Sequence, residues 1–183
     1  SNNNHAIAEA FALFLMGVYL PGFTEARQWL AFGRAVLDRE GLRQILADGG
    51  SHEYSTTYLS FVFDFFLLYK LVCEKQNLTY AEGLNDRLLQ ACTYIHALAD
   101  QHGHLPNIGD QDSAILVDFC QDNQANFHSI LNTGALLFNR PEFRRGGSAD
   151  FKTLLLLGEI APVTGASPPA KTDGIAAATH EAC

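Results

Sequence analysis

Two kinds of apolar segment alternate along the chain. Residues 5–20 are apolar nearly throughout, carry Glu9 as their sole charge and stop at Pro21-Gly22. With Asn4 as N-cap this predicts a first helix buried on most sides. Residues 24–47 differ: Ala26, Trp29, Leu30, Gly33, Val36 and Leu37 form one stripe, and Glu25, Arg27, Arg34, Asp38 and Arg39 fall mostly outside it. That is a helix wetted on one side. Beyond Gly49-Gly50, Ser55 or Thr56 can cap a third helix whose body, Tyr58 to Cys73, is apolar nearly all round apart from Asp64 and Lys70. Thr79-Tyr80-Ala81-Glu82 reads as a capping box opening a fourth, one-faced helix, with Leu84, Leu88, Cys92, Ile95 and Ala99 at helical spacing. His102 to Asp112 reads as a loop, helical pattern returns over 123–138 and 151–161, and residues 162–183 are linker-like.

No strand alternation and no internal repeat emerges, so the expected fold class is all-α. Buried helices alternating with half-buried ones across short turns fit an (α/α) toroid of helical hairpins, with an irregular bundle as the competing arrangement. Roughly six helices make only three hairpins, too few to close a ring well. Residues 1–161 are therefore expected to form an incomplete portion of a toroid, followed by the tail 162–183.

Charge narrows the partners. Twelve basic against twenty acidic residues give a net charge of −8, which argues against nucleic acid or an anionic membrane surface; a polyanionic ligand would need a local basic patch. The apolar run from Ala6 to Leu20 is too short for a membrane span and has no basic flank before it, so no membrane span is expected. Cysteines at 73, 92, 120 and 183 form no CxxC pair and read as buried free thiols. No metal site and no cofactor is expected within the chain.

Candidate chemistry gathers at helix starts. Asn4 and His5 open the first helix and Tyr58 lies in the first turn of the third. If the intervening helix returns the chain, the first and third run parallel and these ends share one rim. The helix dipole there favours anions, including the phenolate of Tyr58. Glu9, four residues after His5, can orient its imidazole. Each residue also has a plainer reading: Asn4 as a cap, His5 as a solvated first-turn residue, Tyr58 as a core aromatic. Asp110 or Asp112, with Glu53, could supply paired carboxylates for glycoside hydrolysis, and His102 with His104 could bind metal. Capping aspartates and turn residues are the plainer readings of those groups.

Four segments taken in order carry a family resemblance: NNHAIAEA (Asn3 to Ala10), HEYSTTYLSFVFDFFLL (His52 to Leu68), GHLPNIGDQDS (Gly103 to Ser113) and TGALLFNRPEF (Thr133 to Phe143). Together, over about residues 2–161, they resemble the toroid domain of the heparinase II/III-like polysaccharide lyases, a group that includes alginate and oligoalginate lyases. The resemblance implies β-elimination at a uronic acid in glycans such as heparan sulfate, heparin or alginate. It also implies that Asn4, His5 and the Tyr of an E-x-S-x-x-Y motif, Tyr58, line the cleft. Glu53 and Ser55 keep that motif's spacing, and Glu53 is a substrate-binding candidate; Leu59 stands where the family often has His. Asn4 and His5 would meet the substrate carboxylate, with His5 neutral as a base or cationic as a neutraliser. Tyr58 would act as general acid, general base or both. The family also implies an acidic polysaccharide or oligosaccharide partner, a β-sandwich C-terminal to the toroid that contributes a further His, and a periplasmic or secreted setting. A glycoside hydrolase on a similar toroid and a non-catalytic glycan-binding or scaffold protein are the alternatives.

Overall fold

The computed structural model describes residues 4–100, 102, 104–110, 115–117, 123–145 and 150–158. Asp112, Cys120, Cys183, residues 159–161 and the tail 162–183 lie outside the described residues. Among the described residues six α-helices follow one another: α1 (Asn4–Tyr19), α2 (Ala26–Gln44), α3 (Thr56–Lys75), α4 (Leu84–Leu98), α5 (Asn123–Leu137) and α6 (Phe151–Leu157), with a 3-10 turn at Pro141–Phe143 between the last two. Among the described residues there is no strand, only a bridge between Ile45 and Ser51. The fold class is all-α.

The first three helices run up, down and up. Gly33 of α2 is pressed against the backbone of α1, where a Cβ would stand 2.7 Å from the Ala10 carbonyl and the Phe14 nitrogen. Gly17 meets Leu30 in the same way, so residue numbers fall along α2 as they rise along α1 and the pair is antiparallel. Between α1 and α3 the order is parallel: the Phe11 and Phe65 rings meet edge to face at 5.4 Å, and the Phe14 and Tyr69 rings do so at 5.0 Å. Such contacts add to the burial of large apolar side chains.

Helix α3 is the centre of the molecule, packed by α1, α2, α4 and α5. Its length and composition alone would pass for a membrane span, but most of its surface is buried inside this fold. The two charges that interrupt its apolar sequence are both paired. Asp64 takes the Lys152 ammonium from α6 at 2.7 Å on each oxygen, and Lys152 also reaches the Asn126 side-chain oxygen at 2.7 Å. Lys70 reaches Glu74 at 2.6 Å. A buried ion pair gains little net stability over an apolar pair, but removing one partner strands a charge, so it fixes the seating of α5 and α6 on α3. The Cys73 and Cys92 thiols are free and buried, and burial raises both, Cys73 to about 11.

Three expectations need correction. Asn4 lies within α1 as a helical residue and not as a cap preceding it. The first helix is not enclosed on most sides: Ile7, Ala10, Phe11, Phe14 and Gly17 are buried along one face, while Ala12 is exposed and Leu13, Leu15 and Met16 are half-buried. Its buried face is the one toward α2 and α3. The Thr79–Glu82 capping box does not start α4. The Arg34 guanidinium of α2 donates to the Thr79 hydroxyl and carbonyl, and the Asp38 carboxylate accepts the Ala81 N–H. The chain then turns through Gly83 at φ 90°, and the helix begins at Leu84. Tertiary partners have taken the groups a capping box would use.

Candidate functional site

The approach to α3 is built by short-range hydrogen bonds. His52 donates its N–H to the Gln44 carbonyl at 2.9 Å, and Leu46 donates to Gly50 at 2.8 Å. The Ser51 hydroxyl accepts the Glu53 N–H at 3.1 Å, and the Ser51 carbonyl accepts that of Tyr54 at 3.0 Å. Tyr54 is thereby held at φ 52°, a left-handed conformation that costs a non-glycine residue about 1–2 kcal/mol. Ser55 then caps α3, its hydroxyl accepting the Tyr58 N–H at 3.1 Å.

A distant segment clasps this cap. The Ser55 hydroxyl donates to the Asp110 carbonyl at 2.7 Å, the Thr56 N–H donates to the Ile108 carbonyl at 3.1 Å, and the Thr56 hydroxyl donates to the Pro106 carbonyl at 3.2 Å. The segments 52–58 and 105–110 are thus two halves of one structure. Gly109 lies against the Tyr54 carbonyl, where a side chain would collide.

Glu53 joins this rim to α1. Its carboxylate accepts the Asn4 backbone N–H at 3.0 Å, a hydrogen bond at a helix N-terminus where the dipole favours an anion. The aromatic contacts extend the alignment: Phe11 pairs with Phe65, an offset of 54, and Phe14 with Tyr69, an offset of 55. Carried to the N-terminal end, the parallel register sets Asn4 level with Tyr58. Asn4 is buried on the face shared with Ile7 and Phe11, Tyr58 is half-buried and His5 is exposed. Asn4, Glu53 and Tyr58 are therefore brought to one rim, and His5 stands beside them on the outer face. Glu9 is also exposed, and no hydrogen bond or ion pair joins it to His5.

The hydrolase candidates are arranged differently. Asp110 is exposed and contributes its backbone carbonyl to the clasp, while one Glu53 oxygen is engaged by Asn4. His102 and His104 form a turn in which the Asp100 carboxylate accepts both backbone N–H groups, at 2.8 and 2.9 Å. The His104 N–H holds the Asp100 carboxyl below its ordinary value against the desolvation that raises it, and the His102 N–H adds to the lowering. Among the described residues no group of three His, Cys, Asp or Glu is placed to hold a metal ion.

Beside the rim opens a cavity of about 120 Å³ lined by Asp48, Gly50, Ser51, Tyr54, Tyr94 and Ile108, with Leu46, Ser55 and Thr56 completing the wall. Sequence reasoning assigned nothing to Tyr54 or Tyr94. Tyr54 lies inside the E-x-S-x-x-Y motif, but its exposure and left-handed backbone are set by Ser51 and by a segment fifty residues away. A family model described as heparinase II/III N-terminus matches residues 1–99, which hold Asn4, His5, Glu53 and Tyr58. No curated protein and no solved structure matches the chain.

Proposed function

Because this chain belongs to the heparinase II/III N-terminal family, we propose that it forms the helical part of a polysaccharide lyase that cleaves uronate-containing glycans, such as heparan sulfate, heparin or alginate, by β-elimination. The observation that carries the reading is the Glu53–Asn4 hydrogen bond, together with the parallel α1–α3 register that levels Asn4 with Tyr58.

The chemistry needs these residue types. Loss of the proton on C5 of the uronate places negative charge on a carbon already bearing a carboxylate. Donors at the carboxyl group must meet that charge. The Asn4 amide and the His5 imidazole serve there. Tyr58 as phenolate removes the C5 proton; in a syn elimination the phenol so formed returns it to the departing glycosidic oxygen as the C4–O bond breaks. The products are a shortened chain and an unsaturated uronate. Tyr58 lies in the first turn of α3, the end of a helix where the dipole favours an anion. Within this reading the hairpins α1–α2 and α3–α4 are an arc of an (α/α) toroid, and a β-sandwich in the full-length protein adds a further His to the cleft.

The test is the product. The full-length protein incubated with uronate glycans is expected to generate the ultraviolet absorbance of a conjugated unsaturated uronate. Tyr58→Phe is expected to abolish it while leaving the melting temperature within about 2 °C of the parent, as for a change outside the buried core. Saturated products from every acidic glycan tested would sink the lyase reading, and a Tyr58→Phe variant that forms unsaturated product at the parent rate would remove Tyr58 from the elimination. Retained activity with saturated products would favour hydrolysis by carboxylates.

A further inference from the structure

We propose that the cavity between Tyr54 and Tyr94 is a subsite for an uncharged sugar ring next to the uronate position, so that the preferred glycan alternates uronate with neutral residues. The inference rests on the lyase reading for its glycan and on this cavity for its specificity.

Tyr54 is 77% exposed and carries a left-handed backbone at φ 52°. A bulky aromatic in that conformation, outside the core, does not serve packing, and strain of this kind marks sites held for a ligand. The backbone on both sides of it is tied down, by Ser51 before it and by Ile108 and Asp110 after it. Tyr94 of α4 also lines the cavity, its ring close enough to Gly50 that a Cβ there would touch it at 3.7 Å. The C–H groups of a pyranose carry partial positive charge and suit the negative face of a tyrosine ring.

Size and charge select among sugars. A cavity of about 120 Å³ has room for about four waters at ~30 Å³ each, and lies well below the ~300 Å³ of drug-sized pockets. It admits part of one ring and not a length of chain. Among the described residues its lining includes the Asp48 carboxylate and no Lys or Arg, and Glu53, next in sequence to Tyr54, accepts the Asn4 N–H. Asp48 gives one oxygen to the Gly50 N–H at 2.9 Å, which leaves the other to accept from a sugar hydroxyl. A second uronate or a sulfated residue would meet this carboxylate without a cation to balance it.

The experiment compares two tetrasaccharides on the full-length protein, one alternating glucuronate with N-acetylglucosamine and one built of mannuronate alone. Calorimetry reads binding and ultraviolet absorbance reads elimination. The alternating glycan is expected to bind about tenfold more tightly. Tyr54→Asn, which tolerates the left-handed backbone, is expected to weaken that binding about tenfold without lowering the melting temperature, and Tyr54→Phe to preserve it. Asp48→Asn is expected to narrow the gap between the two glycans. Equal binding by Tyr54→Asn and the parent, or tighter binding of oligomannuronate, overturns the subsite even where unsaturated products appear. Binding that depends on Tyr54 with no unsaturated product overturns the lyase reading and leaves the subsite standing. Binding of neither glycan overturns the subsite.

Discussion

At the scale of single residues, Glu53 is the hinge between sequence motif and site. It sits in the E-x-S-x-x-Y motif, yet the contact the structure gives it is the Asn4 backbone N–H at 3.0 Å. A charge-assisted hydrogen bond at a helix N-terminus contributes about 1–2 kcal/mol. Glu53→Ala is therefore expected to lower stability in urea by about that amount, and to lower elimination by shifting Asn4. Glu53→Gln keeps an oxygen acceptor without the charge and is expected to recover most of both. Full stability with lost activity in Glu53→Gln would instead mean that the carboxylate itself meets the substrate. Unchanged stability in Glu53→Ala would show that the bond does not hold α1 in place. Asn4, His5 and Tyr58 were legible as candidates, because chemistry-bearing side chains at helix starts stand out in a sequence, and Glu53 was legible through the spacing of the E-x-S-x-x-Y motif. What Asn4 does there was not legible: its N–H is engaged by a residue 49 positions away, and local capping rules have no access to such a partner. Tyr54 was invisible for the same reason.

Among elements, α6 shows how a short segment is held. Seven residues are too few for a helix to persist alone, and α6 relies on Asp150 as its cap. That carboxylate accepts the Thr153 N–H at 2.8 Å, the Ser129 hydroxyl at 2.6 Å and the Asn132 amide at 3.0 Å, so it also binds α6 to α5. Burial pushes the Asp150 carboxyl up, and the hydrogen bonds from Ser129, Thr153 and Asn132 outweigh it, so its pKa in the fold lies below the ordinary value. A depressed carboxylate contributes stability that is complete above its unfolded pKa, about 3.9, and is lost as the pH falls through the folded value. Asp150→Asn is expected to cost about 1–2 kcal/mol at neutral pH, and the gap to the parent is expected to close as both are acidified below about pH 4. Melting temperatures across that range check it; a gap constant with pH would remove Asp150 from the acid response. The helices themselves were largely readable, since apolar spacing reports the face that packs. The start of α4 was not, because Arg34 and Asp38 of α2 occupy the groups that a capping box would use. The enclosure expected of the first helix also failed: an apolar composition shows what a helix can bury, and only the neighbours decide what it does bury.

For the whole molecule, the up-down-up order of α1, α2 and α3 matters because it returns two helix N-termini to one rim. That order was legible from turn lengths and alternating apolarity, whereas the clasp of 105–110 on α3 depends on pairings far apart in sequence. The net charge of −8 acts at this scale too. Asp48 and Asp110 are exposed around the rim and Glu53 is half-buried there, so a polyanionic glycan approaches against the field of the protein. Screening then favours capture, since the Debye length falls from about 30 Å at ~10 mM salt to about 8 Å at ~150 mM. On the lyase reading, KM for a long uronate polymer is expected to fall severalfold over that range while kcat holds steady, because the proposed elimination would take place inside the short-range hydrogen bonds of the rim. Initial rates at a series of salt concentrations measure it. The opposite slope, with KM rising as salt is added, is the signature of cationic side chains releasing counterions from the polymer, and it would show that substrate capture is governed by a basic surface and not by the acidic rim of Asp48, Glu53 and Asp110.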